Sequence, residues 1–146
     1  METHGAALAA DLGVPLCSLR IGNIAGLDAI LGNWRPGFRL DRFADGRSPR
    51  RSYIGPLTLA RVLGDLMRAE HLPGVLNVAA PGSTEMGAIL DAAGLAWAPQ
   101  PAPEAAIAEV CLSVRALQRY TRLDPAAARP ETLVREWREM KDLLAK

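Results

Sequence analysis

A chain of 146 residues with 17 basic and 16 acidic side chains has room for one domain with a real core, and its near-even charge offers no global field for nucleic acid or a membrane surface. Its two cysteines, Cys17 and Cys111, lie far apart in apolar stretches, which suits small buried thiols in a reducing compartment better than a disulfide framework or a metal site. No apolar run nears the roughly 18 residues of a membrane span, and METHGAALAADLG lacks the basic region and cleavage site of a secretory leader, so the expected location is the cytoplasm.

In chain order, residues 2–12 read as a helix ending at Gly13, with Pro15 blocking its continuation, and a strand follows from Leu16 to Ile21. Residues 22–49 are irregular, rich in glycine and arginine, with only Leu40 to Ala44 strand-like; so long a structureless stretch suggests function. A short strand is expected over Arg51–Ile54. Pro56 then opens a helix whose Leu59, Ala60, Leu63, Leu66 and Met67 form one apolar stripe. Val75 to Ala79 reads as a strand, followed by a turn and a helix from near Ser83 to Gly94.

A Pro/Ala-rich connection, AWAPQPAPEAA, leads to a strand around Ala108 to Leu112 and a helix from Ser113 to about Tyr120. Pro130 opens a terminal helix with Leu133, Val134, Trp137, Met140 and Leu144 inward and a charged outer face, which is core packing rather than a cofactor box. Short strands alternating with helices argue for α/β or α+β architecture.

Chemistry is sparser. His4 and His71 lack metal-ligand spacing, and His71 reads as a solvated residue at a helix end. There is no G-x-S-x-G, no Walker loop, no cysteine cluster and no G-x-G-x-x-G after a strand, so no catalytic and no metal-binding residue is assigned. What stands out is arginine: Arg35, Arg39, Arg42, Arg47, Arg50 and Arg51 fall close together, and by base rate most are solvated surface. Arg51 precedes SYI and the helix-opening Gly55-Pro56, and a guanidinium held on a strand can grip a phosphate or carboxylate with two parallel hydrogen bonds. The strand SLRIGNIAG is also unusual, because an ordinary turn does not need Arg20, Asn23 and Gly26 spaced three apart.

Taken together, VPLCSLRIGNIAG, DRFADGRSPRRSYIGPLTLARVL, GVLNVAAPGSTEMGAIL and LSVRALQRYTRLD resemble, in that order and over essentially the whole chain, the C-terminal half of the NAD-dependent epimerase/dehydratase family, the extended short-chain dehydrogenases/reductases. The family's Arg-x-x-Asn-x-x-Gly is matched at Arg20, Asn23 and Gly26, and its Arg-Asp-Tyr/Phe-Ile-His-Val-x-Asp-Leu-Ala is partly matched from Arg51 to Ala60, with Ser52, Gly55 and Thr58 in place of Asp, His and Asp.

The resemblance implies an α/β fold: the last strand or strands of a Rossmann-like sheet plus a small α/β substrate-binding subdomain, without the N-terminal dinucleotide-binding half. Residues 1–32 would be the Rossmann remnant, with residues 2–12 the tail of the catalytic helix, and residues 33–146 mainly the substrate-binding subdomain. It also implies Asn23, Arg51 and Tyr53 at the substrate, a small molecule such as a nucleotide sugar, and Gly22, Asn23 and Gly26 near the cofactor, NAD or NADP in the full-length context.

The Gly-rich loop and the Tyr-x-x-x-Lys pair of these oxidoreductases would lie upstream of Met1. The chain is therefore expected neither to catalyse alone nor to hold a dinucleotide tightly, and to associate with a separate N-terminal half or with itself. The alternative is a non-catalytic binding or interaction module that kept the fold and lost the active site.

Overall fold

The computed structural model describes residues 2–145. The chain begins with helix α1 (Glu2–Leu12) and strand β1 (Ser18–Ile21), which pairs in parallel with β6 (Val75–Val78) in the register Ser18↔Val75 to Ile21↔Val78. At Gly22 the extended chain changes partner. The Gly22 N–H still donates to the Val78 carbonyl, while the N–H of Asn23 donates to Ser52, starting β2 (Asn23–Ile24), which runs parallel to β5 (Tyr53–Ile54). A Cβ on residue 22 would sit 2.7 Å from the Ser52 carbonyl oxygen, so the handover between strands needs the bare glycine.

The expected strand Arg51–Ile54 is divided. Arg50–Arg51 form β4, the centre of a small sheet between β7 (Thr84–Glu85), antiparallel, and β9 (Glu109–Val110), parallel. Ser52 separates β4 from β5: its N–H donates to Val110, and its hydroxyl donates to the Gly82 carbonyl and accepts from the Leu112 N–H. Pairing of Thr84–Glu85 with β4 also delays the next helix, α3, to Met86–Ala93, where the sequence placed its start near Ser83.

The Pro/Ala-rich connection contains a strand that the sequence reading did not anticipate. β3 (Arg39–Arg42) pairs in parallel with β8 (Ala98–Pro101). Ala98 and Ala102 donate to the carbonyls of Phe38 and Arg42. Pro99 and Pro101 thus fall between the donor positions, where a missing N–H interrupts no ladder bond.

Helix α2 (Pro56–Met67) buries Val62 and Leu66 against the β1–β6 pair, and α4 (Pro130–Leu144) buries Leu133 and Val134. Two clusters result. One joins Tyr53, Leu40, Ile89, Leu90 and Leu133 to Trp34, Trp97 and Trp137; the other joins Ile54, Val62, Leu76, Val78 and Leu117. Met67 and Leu144 extend beyond the stripes assigned to them, being 83% and 79% exposed. The segment from Ser113 carries only a short 3-10 turn, Leu117–Arg119, and a second such turn covers Pro125–Ala128. His71 lies beyond the end of α2. Cys111 is exposed and Cys17 half-buried, which corrects the expectation of two buried thiols. Among the described residues no helix is long and apolar enough to cross a membrane.

Candidate functional site

Asn23 and Tyr53 are direct partners in the β2–β5 pairing, so two of the three residues expected at a substrate are brought side by side by strand register. Tyr53 is fully buried, and its hydroxyl and the Oδ2 of Asp28 both lack a hydrogen-bond partner. Asp28 raises and Asn23 lowers the proton affinity of that hydroxyl. Burial, and then the Asp28 charge, drive the phenol's pKa far above its usual value. The other Asp28 oxygen accepts from the N–H groups of Leu31 and Gly32, which fixes the loop after β2.

Arg51, whose charge acts on the Tyr53 phenol, is itself held by backbone carbonyls. Its Nη1 donates to the Arg50 carbonyl at 2.7 Å and to Ala108 at 3.4 Å, and its Nη2 donates to Ile107 at 2.9 Å. Arg50, pointing to the other side of β4, donates to the Ser83 hydroxyl at 3.1 Å and carbonyl at 2.6 Å, with Glu109 3.5 Å away. Ser83 also donates a short bond to Glu109, and this bond, with the charges of Arg50 and Arg47, lowers the Glu109 pKa.

Arg20 reaches back to α1, its Nε and Nη2 donating to the two Glu2 oxygens at 2.8 and 2.6 Å. Their hydrogen bond lowers the Glu2 pKa and raises that of Arg20. Gly26 has φ +89, and a Cβ there would collide with Cδ1 of the Trp137 indole from α4. In the Arg20, Asn23, Gly26 spacing, the first residue therefore ties down a helix and the last admits a tryptophan. A Cβ at Gly22 would meet the Ser52 carbonyl and one at Gly26 the Trp137 indole, so both close packings require glycine.

An opening adjoins the segment that Arg51 holds. It is a cleft of about 790 Å3 between the end of β3 and the segment after β8, lined by Arg42, Phe43, Gln100, Glu104, Ala106 and Ala108 among others. Arg51 forms part of its support, because the carbonyls it holds belong to Ile107 and Ala108. Arg42 lies over the Trp97 ring at 5.9 Å, and Gln100 is held by Asp41 and Arg39. The sequence placed Arg42 among solvated arginines and did not single out Phe43 or Gln100; the signal was the alternation of prolines with donor positions that marks β8. Among the described residues no group of three His, Cys, Asp or Glu side chains could hold a metal ion.

No family model matches the sequence, and no curated protein aligns with it. Solved structures do share the fold. The UDP-glucose 4-epimerase of Thermus thermophilus, solved with NAD, superposes with a TM-score of 0.63 at 19% identity over 94% of this chain and 51% of its own. The UDP-glucose-4-epimerase of Stenotrophomonas maltophila, with bound NAD and formylated UDP-arabinopyranose, gives 0.66 at 16% identity over 97% and 53%. The dTDP-glucose 4,6-dehydratase of Streptomyces venezuelae gives 0.63 at 16% over 97% and 49%. The chain spans about half the length of each of these structures, all sugar-nucleotide epimerases or dehydratases solved with NAD.

Proposed function

We propose that this chain is the substrate-binding part of an NAD(P)-dependent epimerase, dehydratase or reductase of the extended short-chain dehydrogenase/reductase family, acting on a nucleotide sugar or related compound. The observation that carries the reading is the cleft between β3 and the segment after β8. It offers a cation at Arg42, an aromatic ring at Phe43 and apolar walls from alternating prolines, a combination suited to a ligand with a planar ring and an anionic group. The fold supports it, since the matched structures are named for UDP- and dTDP-sugar substrates. Asn23 would face the substrate side of the β2–β5 pair, with the fully buried Tyr53 beside it in the register, and Arg51 would act by holding the cleft wall. The cofactor, NAD or NADP, would supply hydride transfer, and its pyrophosphate needs an anchor outside the cleft.

A second reading is a non-catalytic interaction module, and the use of Arg51 to hold carbonyls of its own chain favours it. Calorimetric titration with UDP-glucose and dTDP-glucose separates the two. The first reading expects binding that Arg42→Ala weakens about tenfold, the loss of one charge-assisted contact; heat changes absent for both sugars favour the module.

A further inference from the structure

Ser52 is 3% exposed, and three segments meet at it. β4 follows a regular parallel ladder with β9, in which Arg50 donates to Ala108 at 2.8 Å and Ser52 to Val110 at 3.0 Å. The next bond of such a ladder runs from the Leu112 N–H to the backbone carbonyl of residue 52. That carbonyl instead accepts the Asn23 N–H at 2.9 Å and opens β2, while the Leu112 N–H donates to the Ser52 hydroxyl at 2.8 Å. The hydroxyl's own proton goes to the Gly82 carbonyl at 3.2 Å, in the turn between β6 and β7. Because the N–H and C=O of one strand residue face the same edge, β9 and β2 lie in succession along one edge of residues 50–54. The serine side chain supplies the acceptor that the backbone lacks where one partner gives way to the other.

Both partners lead to the candidate site. Asn23 is the first residue of β2, and Ala106 and Ala108, just ahead of β9, line the cleft. We infer that Ser52 is a positioning residue, whose hydroxyl lets a single strand edge hold Asn23 and the cleft wall in fixed register. Without that oxygen the N–H groups of Leu112 and Asn23 compete for one carbonyl, and a shift of the carbonyl toward either loosens the other. Arg51 secures the same wall by a separate route, through side-chain bonds to the carbonyls of Ile107 and Ala108. The assignment rests on the proposed reading for the roles of Asn23 and the cleft, whereas the sharing of acceptors at Ser52 does not.

Amide-resolved hydrogen exchange and calorimetric titration with UDP-glucose test it on the whole chain, with Ser52→Ala, Ser52→Thr and Arg51→Ala compared. In Ser52→Ala the amides of Leu112 and Asn23 are both expected to exchange about tenfold faster relative to that of Val62 in α2, as for the loss of one hydrogen bond. UDP-glucose is expected to bind that variant about tenfold more weakly, through misplacement of the wall. Ser52→Thr, which keeps the hydroxyl, restores both, and Arg51→Ala leaves Asn23 as it is. Faster exchange at Leu112 alone would overturn the assignment by confining the hydroxyl to β9, and equal acceleration at Val62 would overturn it by making Ser52 a residue of the fold as a whole. Unchanged affinity in Ser52→Ala, where the unaltered chain binds, would overturn it too. Should the unaltered chain take no UDP-glucose, the reading of the cleft falls, and the paired response of Asn23 and Leu112 still decides the inference.

Discussion

The carboxylate of Glu136, in the middle of α4, accepts hydrogen bonds from both the backbone N–H and the hydroxyl of Thr58, at 2.8 and 2.6 Å. Gly55, the N-cap of α2, offers no side chain to its helix, so a residue 78 positions from Thr58 in sequence satisfies the first turn and complements its positive end. A Cβ on residue 55 would run into the same carboxylate. Gly55→Ala and Glu136→Ala are each expected to cost about 2–4 kcal/mol, since one displaces and the other removes the partner of a buried charge-assisted bond. In the Glu136→Ala background Gly55→Ala should cost far less. Denaturant titration of the four proteins checks the cycle, and additive losses would refute the coupling.

Gly26 and Trp137 form a second junction of this kind. Gly26→Ala meets both a positive φ and the indole, and about 1–3 kcal/mol is expected from the backbone alone, with displacement of Trp137 adding to it. Trp137 fluorescence should shift to the red as the ring is pushed toward water. An unshifted spectrum with unchanged stability would show that the loop after β2 can move aside.

These junctions mark what the sequence made legible and what it hid. Helices α1, α2 and α4 were read close to their bounds because Gly13, Pro56 and Pro130 punctuate them and apolar spacing carries the interior of α2 and α4. The strands β1 and β6 were visible as apolar runs. Hidden were features decided by distant residues: the break at Ser52, made by partners at Gly82, Val110 and Leu112; the strand β8, obscured by Pro99 and Pro101; and the exposure of Cys111, on a segment with water at its side. The candidate site was half legible. Residue spacing singled out Asn23, the place of Arg51 before SYI singled out the arginine, and the family resemblance implied Tyr53; strand register brings Asn23 and Tyr53 together. That Arg51 would be occupied by the carbonyls of Ile107 and Ala108 depends on a fold contact more than fifty residues away, which no local pattern carries.

Tyr53 gives the fold an alkaline limit. Its pKa is raised in the folded state by burial and by Asp28, so the folded chain holds the phenol proton more tightly than the unfolded one. Stability is therefore full below the unfolded tyrosine value of about 10 and declines as pH rises beyond it, because only the unfolded state then loses the proton. Urea midpoints from neutral pH upward should fall above that point, and Tyr53→Phe should flatten the slope at no large cost near neutrality, since the hydroxyl has no hydrogen-bond partner to lose. An equal alkaline slope in the variant would assign the effect to other groups.

Arg51→Ala releases the carbonyls of Ile107 and Ala108 and is expected to speed amide exchange across residues 106–110, with Arg51→Lys intermediate because an ammonium cannot reproduce the fork. Arg50→Ala should act instead on the Ser83–Glu109 side of β4. Unchanged exchange at residues 106–110 in Arg51→Ala would mean that the ladder of β4 with β9 holds the cleft wall without the side chain.

Ligand binding in the cleft between β3 and the segment after β8 is tested most directly by an amide NMR titration of the chain with UDP-glucose, run beside one with NAD. The expected result is saturable shifts confined to Arg42, Phe43, Gln100 and the 104–108 segment with the sugar nucleotide, and none there with NAD. Absence of shifts in that cleft at millimolar UDP-glucose, or shifts spread evenly over the surface, would contradict it.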